Sequence, residues 1–172
     1  MITLFQVDKS GNEVFEKDYS IVVVVNKKQV YGVNVPQKIK DEIIYLFKIK
    51  ELNINHHSDK QNKNRLRIRT HTAIIIKLIE KAIFDLGSID EINIELCNDI
   101  DGHFHEIKDM IFKYFIKLIP SFELEDIVLT RFQKPSLIDT AGAVFRNNNK
   151  DKLKDYIQVK LNLDELIKII KK

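Results

Sequence analysis

The feature that most constrains this fold is a run of four consecutive valines, Val22 to Val25, inside the segment from Tyr19 to Asn26. The segment is too short for a helix of ordinary length, and an unbroken β-branched run is typical of a strand covered on both faces. We therefore expect a central strand of a sheet. With 172 residues, of which 44% are hydrophobic, the chain is long enough for one domain with a sizeable core.

Two more strands flank this segment. Alternation from Ile2 to Val7 predicts a first strand, which we expect to end in the turn-forming cluster from Asp8 to Asn12. The segment from Val30 to Val35 predicts a third strand, stopped by Pro36. Because the connections are short, the three strands are expected to form an antiparallel meander.

Helices and strands alternate in the rest of the chain. The spacing of apolar residues predicts strands over 91–99 and 127–132, and helices over 37–52, 70–87 and 104–118, around Asp139 and from Asn162. The polar segment 53–64 is expected to be a mobile loop. Residues 1–160 should form a single domain, and the helix in 161–172 should pack on it or on a partner. Asn162 and Glu165 resemble a capping box at the start of that helix.

Composition and absent motifs narrow the function classes. The 28 basic and 25 acidic residues give a net charge of +3, which permits a polyanion partner without requiring one. The single cysteine, Cys97, excludes an internal disulfide and favours a reducing compartment, so a cytoplasmic location is expected. No apolar run reaches the roughly 18 residues of a membrane span, so we expect no membrane partner. The chain has no P-loop and no Gly-x-Gly-x-x-Gly, Gly-x-Ser-x-Gly or Cys-x-x-Cys motif, which disfavours nucleotide-cofactor and acyl-transfer enzymes.

Three short motifs each place a carboxylate at the end of a strand or the start of a helix. Asp8-Lys9-Ser10-Gly11 closes the first strand, Cys97-Asn98-Asp99 closes the fourth, and Ile138-Asp139-Thr140-Ala141-Gly142-Ala143 opens a late helix. With the order of elements, these motifs resemble the ribonuclease H-like superfamily over roughly residues 2 to 150. Within it, the chain is most similar to uncharacterised families whose first strand ends Asp-Glu-Ser-Gly.

The resemblance implies an α/β fold with a mixed five-stranded sheet, its first three strands antiparallel and its faces covered by helices. It also implies phosphodiester hydrolysis with two divalent ions, Mg²⁺ or Mn²⁺, which prefer hard oxygen ligands. The implied metal ligands are Asp8, Asp99 and Asp139, with Asp101 as an alternative to Asp99. A fourth catalytic acid would come from the first helix, where Glu42 and Asp41 are the nearby candidates.

Basic side chains supply candidate nucleic-acid contacts. Lys9 adjoins Asp8, Arg146 lies two helical turns beyond Asp139, and Arg65, Arg67 and Arg69 precede a helix expected to be buried. Structural alternatives remain open for the same residues. The arginines also fit a solvated helix entrance, and the acids also fit a turn, a helix cap and a first-turn position.

Three function hypotheses follow. The first is a metal-dependent nuclease acting on RNA or DNA through the carboxylate site. The second is a catalytically inactive ribonuclease H-like module that binds nucleic acid or protein, since a fold does not fix a function. The third is an interaction protein that uses its C-terminal helix, for which a homodimer is one arrangement. The pairs His56-His57 and His103-x-His105 lack a third ligand at a telling spacing, which disfavours a transition-metal site.

Overall fold

A mixed sheet with helices on both faces forms the fold. The computed structural model describes residues 1–52, 54, 58–98 and 103–171. Within these residues the strands are β1 (Ile2–Ser10), β2 (Ser20–Val25), β3 (Gln29–Asn34), β4 (Glu91–Cys97), β5 (Ile127–Thr130) and β6 (Tyr156–Gln158). The α-helices are α1 (Gln37–Lys48), α2 (Asp59–Leu86), α3 (Phe104–Phe115), α4 (Leu137–Arg146) and α5 (Leu163–Lys171). No helix in this described part is both long and apolar enough to cross a membrane.

The sheet has the strand order β5-β4-β1-β2-β3-β6. β1, β2 and β3 pair antiparallel, as predicted, and every residue of β2 is buried, which confirms its central position. β4 runs parallel to β1, and β5 runs parallel to β4. The prediction of five strands is wrong, because β6 adds a sixth strand parallel to β3. β6 has three residues, too few to give an alternation signal.

The two sheet faces carry separate apolar clusters. Alternate residues such as Phe5 and Val23 join the larger cluster with α1, α2, α3 and α5. The other set, including Val22, joins a smaller cluster with α4. Phe145 of α4 lies directly over Gly32, where an added Cβ would come within 2.4 Å of its ring. Only a residue without a side chain lets α4 lie this close to β3.

Several predicted boundaries differ from the structure: α1, α3 and β5 end before the predicted residues, at Lys48, Phe115 and Thr130. The loop predicted over 53–64 is too long, because α2 begins at Asp59. The Ser58 amide donates to Gln61 Oε1 at 3.2 Å, so a polar cap starts the helix before its apolar pattern begins. Residues 53 and 55–57, which include His56 and His57, lie outside the described residues. The first strand is longer than predicted, because pairing with β2 carries β1 through to Ser10.

The C-terminal helix α5 packs against α2 of the same chain. Leu166, Ile169 and Ile170 are buried in the larger cluster. Asn162 Oδ1 accepts the amide of Glu165 at 3.2 Å, which confirms the predicted cap. The Glu165 carboxylate binds Lys77 of α2 at 2.8 Å, so it links the two helices.

Candidate metal and phosphate site

A cavity of about 380 Å³ lies where β1 and β4 end side by side. These strands are parallel and Val7 pairs with Leu96, so Asp8 and Cys97 follow at the same level of the sheet. Asp8 lies on the α4 face of the sheet, because its register partner Val22 belongs to the cluster beneath α4. Asp8 is half-buried, and its Oδ1 accepts the Lys9 amide at 2.9 Å.

Helix α4 brings Asp139 to the same cavity. Ser136 caps this helix, and its Oγ accepts the Asp139 amide at 3.4 Å. One turn further on, the buried Gly142 lies against Asp8, where an added Cβ would be 3.0 Å from Asp8 Oδ2. The glycine therefore lets the backbone of α4 approach the carboxylate closely. Asp8 and Asp139 are thus brought together, although they belong to motifs far apart in the chain.

Three basic side chains line this cavity with the two acids: Lys9, Arg131 and Lys134. Lys134 Nζ lies 3.6 Å from Asp139 Oδ1, but its side chain is 81% exposed, so the pair adds little to stability. Lys9 Nζ donates to the Gly11 carbonyl at 3.1 Å. Among the described residues of the lining, three cations against two carboxylates give a net positive charge that suits an anionic ligand.

Sequence reasoning missed Arg131 and Lys134. A signal for Arg131 was present, because it directly follows β5 and parallel strands end at the same edge of a sheet. Lys134 lies in the connection to α4, where no pattern fixes the direction of a side chain. The structure thus adds two cations to the predicted phosphate contact Lys9.

The remaining predicted acids do not all reach this cavity. Asp99 and Asp101 lie outside the described residues, and Cys97 and Asn98 line the cavity just before them. Glu42 lies on α1 beside the fully buried Ile43, which packs on the opposite sheet face from Asp8. Glu42 does not line the cavity that holds Asp8, and its catalytic role stays a prediction.

The predicted basic contacts are distributed over several surfaces. Arg146 is exposed in the last turn of α4 and does not line the cavity that holds Asp139. Arg67 forms an ion pair with Glu13. Arg65 and Arg69 lie on the other face of the sheet, in a cleft between helices. The arginines of α2 thus do not share a cavity with Asp8 and Asp139.

A smaller cavity of about 170 Å³ lies on the α2 side of the end of β1. Inside it, the Tyr19 hydroxyl lies 2.6 Å from His71 Nδ1, and His71 Nε2 is buried without a hydrogen-bond partner among the described residues. Burial, and then the charge of Lys9, lower the pKa of His71 to about 3. Burial, and then the charges of Asp8 and Glu13, raise the pKa of the Tyr19 phenol. Both side chains are therefore neutral at pH 7.

The donor set at the larger cavity suits a divalent ion only in part. Among the residues that the structure describes, no group of three or more His, Cys, Asp or Glu side chains is arranged to hold a metal. Mg²⁺ is commonly bound by one or two carboxylates, with phosphate oxygens and water completing its shell. Asp8 and Asp139 therefore fit an ion bound together with a phosphate better than a closed protein cage.

In comparisons with protein-family models, curated proteins and solved structures, no match to this chain was found. The cavity and its residues are therefore the basis for assigning a function.

Proposed function

We propose that the chain is a metal-dependent phosphodiesterase of the ribonuclease H-like type that acts on RNA or DNA. The observation that carries this proposal is the meeting of Asp8 and Asp139 at one cavity. The antiparallel β1-β2-β3 meander, the internal position of β1 and the helices on both faces support the assignment. Each of these features is one that the resemblance implies.

The acidic and the basic residues at the cavity would have different roles: the acids would bind a metal ion and the cations would bind phosphate. Asp8 and Asp139 would hold Mg²⁺ or Mn²⁺, with Asp99 as the further predicted ligand. A bound divalent ion supplies an activated water and neutralises charge at the phosphoryl group. Lys9, Arg131 and Lys134 would bind phosphate oxygens of the substrate backbone, because charge-assisted hydrogen bonds to phosphate are strong.

A manganese titration tests the metal site. If the ion binds the folded chain alone, a concentration of one hundred times its Kd stabilises the fold by about 2.7 kcal/mol. For a chain of this size the midpoint of thermal unfolding should rise by roughly 5 to 10 °C. Asp8→Asn and Asp139→Asn should each lose most of this shift, whereas Asp164→Asn, an exposed acid of α5, should keep it.

Activity is measured on the same four proteins with fluorescent RNA and DNA oligonucleotides and Mn²⁺. Cleavage should require the ion and both cavity acids, and it should survive in Asp164→Asn. Equal thermal shifts in all four proteins, or cleavage that Asp8→Asn retains, would exclude the proposed site.

The alternative is an inactive ribonuclease H-like module that binds nucleic acid or protein. Two observations on the described residues favour this hypothesis: the lining of the cavity has a net positive charge, and no group of three metal ligands is present. Oligonucleotide binding that persists in a metal chelator and weakens in Arg131→Gln, with no cleavage under any ion, would support the alternative over the enzyme.

A further inference from the structure

A second large cavity lies between helices on the sheet face opposite Asp8. It has a volume of about 820 Å³ and is formed by α2, α3, the segment 116–118 and α5. We call it the helix cleft. This volume is within the range of about 300 to 1,000 Å³ that is typical of small-molecule sites.

One part of the helix cleft is cationic. Arg65, Arg69, Lys113 and Lys117 line it, against the two acids Glu106 and Asp109. Both acids are already paired: Glu106 lies 3.5 Å from Arg65, and Asp109 lies 2.6 Å from Lys113. Arg69 and Lys117 have no ion pair with any described residue. Four cations against two acids leave the described lining of the helix cleft with a net positive charge, although the charge of Glu106 also acts on Arg69.

Of these cations, Arg69 gives the strongest indication that an anion binds in the helix cleft. Its Nε is buried and has no hydrogen-bond partner among the described residues. Mainly because of burial, the pKa of its guanidinium is lowered. An unsatisfied buried donor on a charged group is costly, and an anion bound at the guanidinium would offset part of that cost.

The other part of the helix cleft is apolar. Met110, Tyr114, Ile116, Leu118 and Ile169 line it. Leu118 is 55% exposed, so the apolar wall opens to solvent at the rim. The phosphates of a nucleic acid would use the cations but would leave these side chains uncovered.

We propose that the helix cleft binds an amphipathic organic anion, a carboxylate attached to an apolar body. Arg69 and Lys117 would bind the carboxylate, and the apolar side chains from Met110 to Ile169 would cover the rest of the ligand. This site is separate from the cavity of Asp8 and Asp139, because α2 and the sheet lie between them. It gives Arg69 a ligand different from the nucleic acid predicted from the sequence.

Calorimetric titration with straight-chain carboxylates tests the site on the full chain. Decanoate should bind, acetate should not, and affinity should rise roughly fourfold for each added methylene while the cleft is being filled. Decanol, which lacks the charge, should bind at least about tenfold more weakly than decanoate.

Variants separate the helix cleft from a general surface effect. Arg69→Gln should weaken decanoate binding by about tenfold or more and leave decanol binding unchanged. Lys63→Gln, an exposed cation of α2 outside the cleft, is the matched control and should bind like the native chain. Because Lys117 is exposed, Lys117→Gln should not disturb the fold. It serves as a second test if Arg69→Gln does not fold.

Three results would overturn the proposal. They are equal binding of decanoate and decanol, native decanoate affinity in both Arg69→Gln and Lys117→Gln, and displacement of decanoate by inorganic phosphate or by a short RNA at lower concentration than by octanoate. None of these measurements uses Mn²⁺ or cleavage, so the outcome is independent of the proposed phosphodiesterase.

Discussion

Replacing Gly142 by alanine is expected to destabilise the fold through Asp8 alone. The new Cβ would lie 3.0 Å from Asp8 Oδ2, whereas its contact with Val22 Cγ2, at 3.9 Å, would be ordinary. Overpacking costs about 1 to 3 kcal/mol, and alanine inside a helix is favoured over glycine by about 1 kcal/mol. The net loss in the free energy of unfolding should be about 1 kcal/mol, which lowers the thermal midpoint by roughly 2 to 4 °C.

Removing the carboxylate should reverse the sign of this effect. In the Asp8→Ala background the Cβ of Gly142→Ala has room, so the helix preference alone should raise stability by up to about 1 kcal/mol. Urea unfolding of the four proteins at pH 7, without divalent ions, gives a coupling free energy that we expect to be about 1 to 3 kcal/mol. The same change in both backgrounds would refute the contact between α4 and Asp8.

Three other predictions concern the fold. Gly32→Ala forces a Cβ to within 2.4 Å of the Phe145 ring and should cost about 3 kcal/mol in urea unfolding, an amount that Phe145→Leu in the same chain should partly restore. Below pH 6.5 the unfolded chain protonates His71 while the folded chain does not, because its folded pKa is about 3. Stability should therefore fall by up to about 1.4 kcal/mol per pH unit down to pH 3, a slope that His71→Gln reduces and the exposed control His105→Gln keeps. Ser136→Ala should lower the unfolding free energy by about 1 kcal/mol if its hydroxyl caps α4, and an unchanged value would exclude that cap.

The sheet and its helices could be predicted where burial imposes a period on the sequence. The four valines predicted β2 as a central strand because both faces of that strand are covered. The first turns of α2 escaped prediction because they are polar, and a cap at Ser58 rather than an apolar stripe starts them. β6 escaped because its pairing with Val30 and Gly32 of β3 is a tertiary contact between short segments.

The cavity that holds Asp8 and Asp139 could also be predicted in part from the sequence. Asp8 ends up beside the end of β4 because the two strands are parallel, and small residues after Asp139 allow α4 to approach. Helical periodicity gave the apolar stripe of α1, but it does not fix the distance of Glu42 from the end of β1. The sequence indicated Arg65 and Arg69 as basic residues, but not the helix cleft that they line, because its residues come from three helices and a connecting segment.

The placement of β1 and α4 has a consequence for biosynthesis. Asp8 precedes Asp139 and Gly142 in the chain, so it leaves the ribosome before them. In a nascent chain that stops before α4, the sheet face that carries Asp8 is not covered, and no residue of α4 lies opposite Asp8. Any ligand held between these two segments is therefore bound only by molecules whose synthesis has passed α4, and no earlier truncation product can compete for it.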